Sequence, residues 1–226
     1  MTEAEWLGCT DPQHMLNFLR GKVSDRKLRL FAVACCQRPY YQVADERFRK
    51  AVQLAERMTD ENVDEEEWRL VHEAAHELWY AAWCLSDAVQ HESQRVTAEV
   101  ESLMHADMAT AAGWAILEDA WDGAYQVTGV EWDQKHLDEP SHQLALMRDI
   151  FGNPFRPVTV DASWLTANVT ALAQAIYDER AFDRMPILAD ALEDAGCTDA
   201  EILAHCRGAG PHVRGCWVVD LLLSKE

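Results

Sequence analysis

Trp68-Arg-Leu-Val-His-Glu-Ala-Ala-His-Glu-Leu-Trp-Tyr-Ala-Ala-Trp-Cys-Leu-Ser-Asp-Ala-Val89 carries Trp68, Val71, Ala75, Leu78, Ala82, Leu85 and Val89 at alternating spacings of three and four. A helix turns every 3.6 residues, so these side chains share one face, and the alternation is that of a seam between packed helices. Trp79 and Trp83 widen the stripe. Nothing nearby interrupts it: no glycine lies between Gly21 and Gly113, and no proline between Pro39 and Pro140. The pattern predicts a helical tract from Ala44 to about Gly129, folded as a long acidic antiparallel hairpin. Its return arm, Val96 to Tyr125, carries small residues (Ala106, Ala109, Ala111, Ala112) that let a neighbouring helix approach closely.

On the N-terminal side, Thr2 and Glu5 form a capping-box pattern ahead of Trp6-Leu7. Thr10 with Pro12 opens a helix that Gly21 stops, and Ser24 caps another running from Asp25 to about Arg38. That helix is apolar on nearly every side, which predicts a central, buried position. Arg26, Lys27 and Arg29 stand in its first turns, where the helix dipole disfavours positive charge by ~0.3–1 kcal/mol each. Such placement calls for acidic partners, inside the chain or outside it.

On the C-terminal side, Ile150-Phe-Gly-Asn-Pro-Phe-Arg-Pro-Val158 breaks the helical pattern and reads as an extended connector presenting Phe151 and Phe155. Helices are expected at about 162–179, 186–194 and 199–206. The apolar run Cys216–Leu223 reads as a buried helix, with a strand as the alternative. The expected class is all-α: a helical bundle with a long hairpin over 1–149, a Pro-rich connector at 150–160, and a compact C-terminal helical region at 161–226 packed on the same core.

The chain has 226 residues, 49% of them hydrophobic, which suits a globular protein with a sizeable core. Its formal charge of −19 is unevenly spread: +6 over residues 20–57 and −17 over 59–140. Phosphate would be repelled over most of such a surface, which argues against general nucleic-acid binding. No apolar stretch is long enough to span a bilayer, and the start lacks the basic region of a secretion signal. Seven cysteines then read as reduced, mostly buried thiols, and the expected location is the cytoplasm.

Two constellations could carry chemistry. His72-Glu73-Ala74-Ala75-His76 is an H-E-x-x-H on a helix: histidines one turn apart can share a zinc ion whose water Glu73 could activate as base. A zinc peptidase also needs a third ligand, for which Glu92, Glu99 and Glu101 are candidates, and an edge strand, of which there is no sign. The flank of a helical seam explains the same histidines. The second constellation is Cys197, His205, Cys206, His212 and Cys216 around the turn Arg207-Gly-Ala-Gly-Pro211. Their ligand type suits structural zinc, but no C-x-x-C pair is present, and adjacent His205 and Cys206 would rarely both ligate. Core packing for the cysteines and a cap or surface role for His212 is the competing reading. No cofactor other than zinc is indicated.

Several phrases resemble a large family of planctomycete proteins. They are Glu5-Trp-Leu-Gly-Cys-Thr-Asp-Pro12, Phe18-Leu-Arg-Gly-Lys22, Ser24-Asp-Arg-Lys-Leu-Arg-Leu-Phe-Ala-Val-Ala-Cys-Cys36 and Asp149-Ile-Phe-Gly-Asn-Pro-Phe-Arg-Pro157. Ala175-Ile-Tyr-Asp-Glu-Arg-Ala-Phe-Asp-Arg184, Ile187–Cys197 and His212-Val-Arg-Gly-Cys-Trp-Val-Val-Asp220 belong with them. The resemblance covers both ends and more than half the chain, and the H-E-x-x-H is not part of it. The stretch Arg184–Arg207 is also similar to a short repeat-companion domain found in related planctomycete proteins. No known activity comes with the resemblance.

With no complete catalytic set, the expected function is a non-catalytic interaction or regulatory module with a protein partner. The partner would dock on the basic helices (Arg26, Lys27, Arg29), on Phe151 and Phe155, or along the aromatic hairpin, whose seam could also join two copies. A zinc-dependent hydrolase built on His72, Glu73 and His76 is the alternative. An acidic DNA mimic or inhibitor presenting residues 59–140 is a further one.

Overall fold

The computed structural model describes residues 1–37, 46–92, 119–128 and 139–225, with the side chains of Trp79 and of residues 81–92 outside that set. The chain is all-α, and the described residues contain no strand. They form two compact units, one of residues 12–140 and one combining residues 1–11 with 141–226. The break thus falls before the Pro-rich segment that the sequence marks as a connector, and the N-terminal helix belongs with the C-terminal region.

In the unit of residues 12–140, α2 (Pro12–Leu19), α3 (Asp25–Cys36), α4 (Glu46–Arg57), α5 (Glu65–Glu92) and α6 (Ala120–Thr128) are described. Helix α3 starts as expected: the Ser24 side chain accepts a hydrogen bond from Lys27 N–H. Its Leu28, Leu30, Phe31, Ala32, Val33, Ala34, Cys35 and Cys36 are all buried, the position expected of a helix apolar on nearly every side. It packs on α4 and α6. Asp64 caps α5 by accepting from the Glu66 and Glu67 amides, and three glutamates in the first turn complement the dipole. Arg57 at the end of α4 bonds both carboxylate oxygens of Glu67, at 2.6 and 3.2 Å, joining α4 to α5. The small residues expected on the hairpin's return arm, Ala106 to Ala112, lie outside the described residues. Among the described residues, no helix is long and apolar enough to cross a membrane.

The other unit contains α1 (Glu3–Gly8), α7 (Glu139–Phe151), α8 (Ala167–Glu179), α9 (Met185–Asp194), α10 (Ala200–Arg207) and α11 (Trp217–Leu223). Helix α1 opens on the expected capping box, with Thr2 and Glu5 bonding each other's backbone. The Arg148 guanidinium donates to the carbonyls of Trp6 and Leu7 at its end and of Cys9 just beyond, and the Trp6 carbonyl also accepts from Cys9 N–H. The core is built from Val169, Ile176, Tyr177, Leu188, Leu192, Ile202 and Cys206 with Val218, Val219 and Leu222. The final apolar run is therefore a helix, packed on α8 with Val218, Val219 and Leu222 buried. Phe151 and Phe155 are half-buried rather than presented. Gly152, at φ +62°, ends α7, and the Asn153 side chain accepts from Phe155 N–H while donating to Glu3. These bonds fold the segment back onto its own unit.

Candidate metal centre

Among the described residues, a group of chemistry-bearing side chains gathers closely, and it lies wholly within this second unit. Helix α7 brings Asp149 in its last turn, α10 brings His205 in its last turn, the following loop brings His212, and Cys216 leads into α11. Two devices aim the loop. Gly215, at φ +94°, turns the backbone just before Cys216, a conformation that an L side chain resists. Arg214 lies over the buried Tyr177 ring, 4.7 Å from its centroid, and so pins the chain between His212 and Cys216 to the core.

Asp149 is the hub. Its Oδ2 accepts from Val213 N–H at 3.0 Å, which fixes the carboxylate plane and leaves Oδ1 facing the histidines. Oδ1 stands 2.7 Å from His212 Nδ1 and 3.2 Å from His205 Nε2. The same His205 Nε2 lies 3.1 Å from Cys216 Sγ. His212 Nε2, on the far side of its ring, faces the Gly208 carbonyl at 3.4 Å, so the ring can donate outward while Nδ1 points at the cluster. The group is enclosed: Cys216 is 0% exposed, and the side chains of Asp149, His212 and His205 are 3, 8 and 17% exposed.

Burial acts on each charge here, and the neighbours decide the outcome. Burial alone would raise the Asp149 carboxyl, but bonds and charge from His205 and His212 together outweigh it and hold it below its ordinary value. Burial would lower His212, yet the bond to Asp149 wins and raises it. Cys216 has no such help: burial, reinforced by the Asp149 charge, raises its thiol well above the ordinary value. Alone, then, the site holds a carboxylate beside a proton-loving histidine and a neutral thiol.

This is poor geometry for a cysteine nucleophile. A thiol–imidazole–carboxylate relay needs the thiol on one ring nitrogen and the carboxylate on the other. Here a single nitrogen of His205 faces both, and the thiol is buried and protonated, where a reactive one is exposed and acidic. Convergence of donors on one point is instead what a metal requires. With bonds of 2.0–2.3 Å, a tetrahedral zinc holds its donors about 3.3–3.8 Å apart. The four donor atoms all lie within 4.8 Å of one another, three of the pairs at 2.7–3.2 Å, somewhat closer than that spacing.

Of the five C-terminal residues that the sequence singles out, His205, His212 and Cys216 come together here. Cys197 and Cys206 do not: both are buried in the hydrophobic core, and burial pushes the Cys206 thiol up to about 12. Asp149 is the donor missed, 63 residues before His212, in the last turn of α7 and just ahead of the segment read as a connector. A search by local ligand spacing has no means of reaching it.

The H-E-x-x-H lies on α5. Glu73 is paired with Arg69 at 2.9 Å, and the His72 ring stacks on Trp68 at 4.6 Å. Among the described residues no third donor joins His72 and His76; Glu99, Glu101 and the Glu92 side chain lie outside that set. The N-terminal bases have partners within their own unit. Arg26 pairs with Asp60 at 3.3 Å, both largely buried, and half-buried Arg29 feels Asp25 and Asp119. Lys27 is half-buried.

Comparison of the chain with protein-family models, curated proteins and solved structures yields no match. Fold and site alone define its class: an all-α protein with a buried Asp/His/His/Cys group of the metal-ligand type.

Proposed function

We propose that residues 1–11 and 141–226 form a metal-stabilised, non-catalytic module. One zinc ion is bound by Asp149 Oδ1, His205 Nε2, His212 Nδ1 and Cys216 Sγ. The observation that carries this reading is the enclosed convergence of four donor atoms from three parts of the unit. Mixed nitrogen, sulfur and oxygen donors in a tetrahedral set suit zinc over the hard cations, and four protein donors leave no open position for substrate or water. The ion's work is then structural. It ties the end of α7, far away in sequence, to the end of α10 and the start of α11. Binding also removes the proton that burial keeps on Cys216.

A structural ion fits a protein that binds others rather than transforming them. The segregation of charge, +6 over 20–57 against −17 over 59–140, favours a protein partner, and α5 would supply the first arm of the acidic hairpin. Three of the four donors, Asp149, His212 and Cys216, fall within the phrases that resemble the planctomycete family. A cytoplasmic setting would keep the thiol reduced for the ion.

The test is metal content by mass spectrometry on untagged chain purified without chelator, paired with thermal unfolding before and after zinc removal. About one zinc per chain and a lower melting temperature without it are expected, since an ion held at 100 times its Kd stabilises by about 2.7 kcal/mol. A chain that takes up no zinc, even when zinc is supplied, overturns the reading.

A further inference from the structure

The donors do not stand alone. Trp217, the residue after Cys216, touches both halves of the centre. Its indole lies against the His205 ring, 5.2 Å between centroids and tilted by 56°. It also covers the backbone of Gly152, three residues beyond Asp149 on the same turn of chain: a Cβ at that position would lie 3.2–3.4 Å from three atoms of the indole. Gly152 is therefore constrained twice, by its left-handed backbone and by the ring above it. His205 is the most exposed of the four donors, and the indole is a large apolar surface packed against its ring.

Resting on the metal reading above, we infer that Trp217, seated on Gly152, is the positioning residue that orients His205 and keeps the centre four-coordinate. A zinc site with one exposed histidine can add water and expand its coordination, and the apolar shell around a site controls that access. With the indole in place, the His205 ring is held in the plane that points Nε2 at Cys216 and Asp149, and water is kept off the ion. The consequence is selectivity as well as affinity: ions that prefer six ligands, such as Ni²⁺, are disfavoured against Zn²⁺ and Co²⁺.

The experiment uses the full chain loaded with Co²⁺, whose visible absorption is intense in four-coordinate sites and much weaker once water joins. Trp217→Ala and Gly152→Ala should each weaken the cobalt bands, lower zinc affinity by about 10- to 100-fold, and narrow the preference for Zn²⁺ over Ni²⁺. Trp217→Phe, which keeps an aromatic face, should recover most of the spectrum. Circular dichroism on each variant separates these effects from loss of fold. If Trp217→Ala and Gly152→Ala both fold and bind cobalt with the spectrum and affinity of the parent, the positioning role is overturned while the site stands. If the parent binds neither ion, the site itself falls.

Discussion

Asp149→Asn is the sharpest perturbation of the unit, and it can be read in the metal-free chain. Asparagine keeps the volume and can still accept from Val213 N–H, so the substitution removes charge rather than packing. The carboxylate is 3% exposed and faces His212 at 2.7 Å and His205 at 3.2 Å. Removing one partner of a buried ionic group costs about 3–5 kcal/mol, because the remaining charge is left uncompensated. For a unit of roughly a hundred residues, 3 kcal/mol lowers the melting temperature by about 12–24 °C. The loss should also depend on pH. The Asp149 carboxyl is held below its ordinary value, so its contribution is complete above the unfolded carboxyl range and fades as pH falls through the folded value. His212 is raised, so its contribution is complete below the ordinary imidazole value of 6.5 and fades as pH rises through the folded one. The gap between parent and variant should therefore be widest between about pH 4 and 6.5 and close on either side. The assay is thermal unfolding by circular dichroism in chelator across pH 3–9. A variant that melts within a degree or two of the parent at pH 5–6 would refute the buried ionic hub.

Other outcomes follow from the same geometry. Cys216→Ser should reduce zinc affinity by at least about 100-fold, whereas Cys206→Ala should keep one zinc per chain and cost about 1–2 kcal/mol as a core truncation; zinc titration and urea unfolding separate the two. His76→Ala should leave metal content at the parent level in mass spectrometry, because the ion sits elsewhere. Arg148→Ala removes the donor to the carbonyls of Trp6, Leu7 and Cys9 at the end of α1 and should destabilise by about 1.5–3 kcal/mol, with faster amide exchange at residues 3–9 as the local signature.

Helices and their starts were legible from local chemistry. Thr2 with Glu5 and Ser24 cap where the spacing says they should, since a cap is made by residues three apart. From Leu30 on, α3 is apolar on every side and buried, because no face of that stretch prefers water. Part of the site was legible too. Ile202 and Cys206 are one turn apart and both fully buried, so adjacent His205, about 100° round the helix, must face elsewhere. The sequence alone says only that adjacent His205 and Cys206 would rarely both ligate.

Composition and local pattern by themselves determined an all-α chain with capped helices, an acidic middle and a cluster of soft donors near its end. They could not determine that Asp149 completes the cluster, that Trp217 rests on Gly152, or that α1 belongs with the C-terminal unit. Those contacts join residues 56 to 142 positions apart, and no helical period or motif spacing reaches so far. They arise only when apolar faces pack, and packing places a buried carboxylate where two histidines and the Val213 amide can offset its lost hydration.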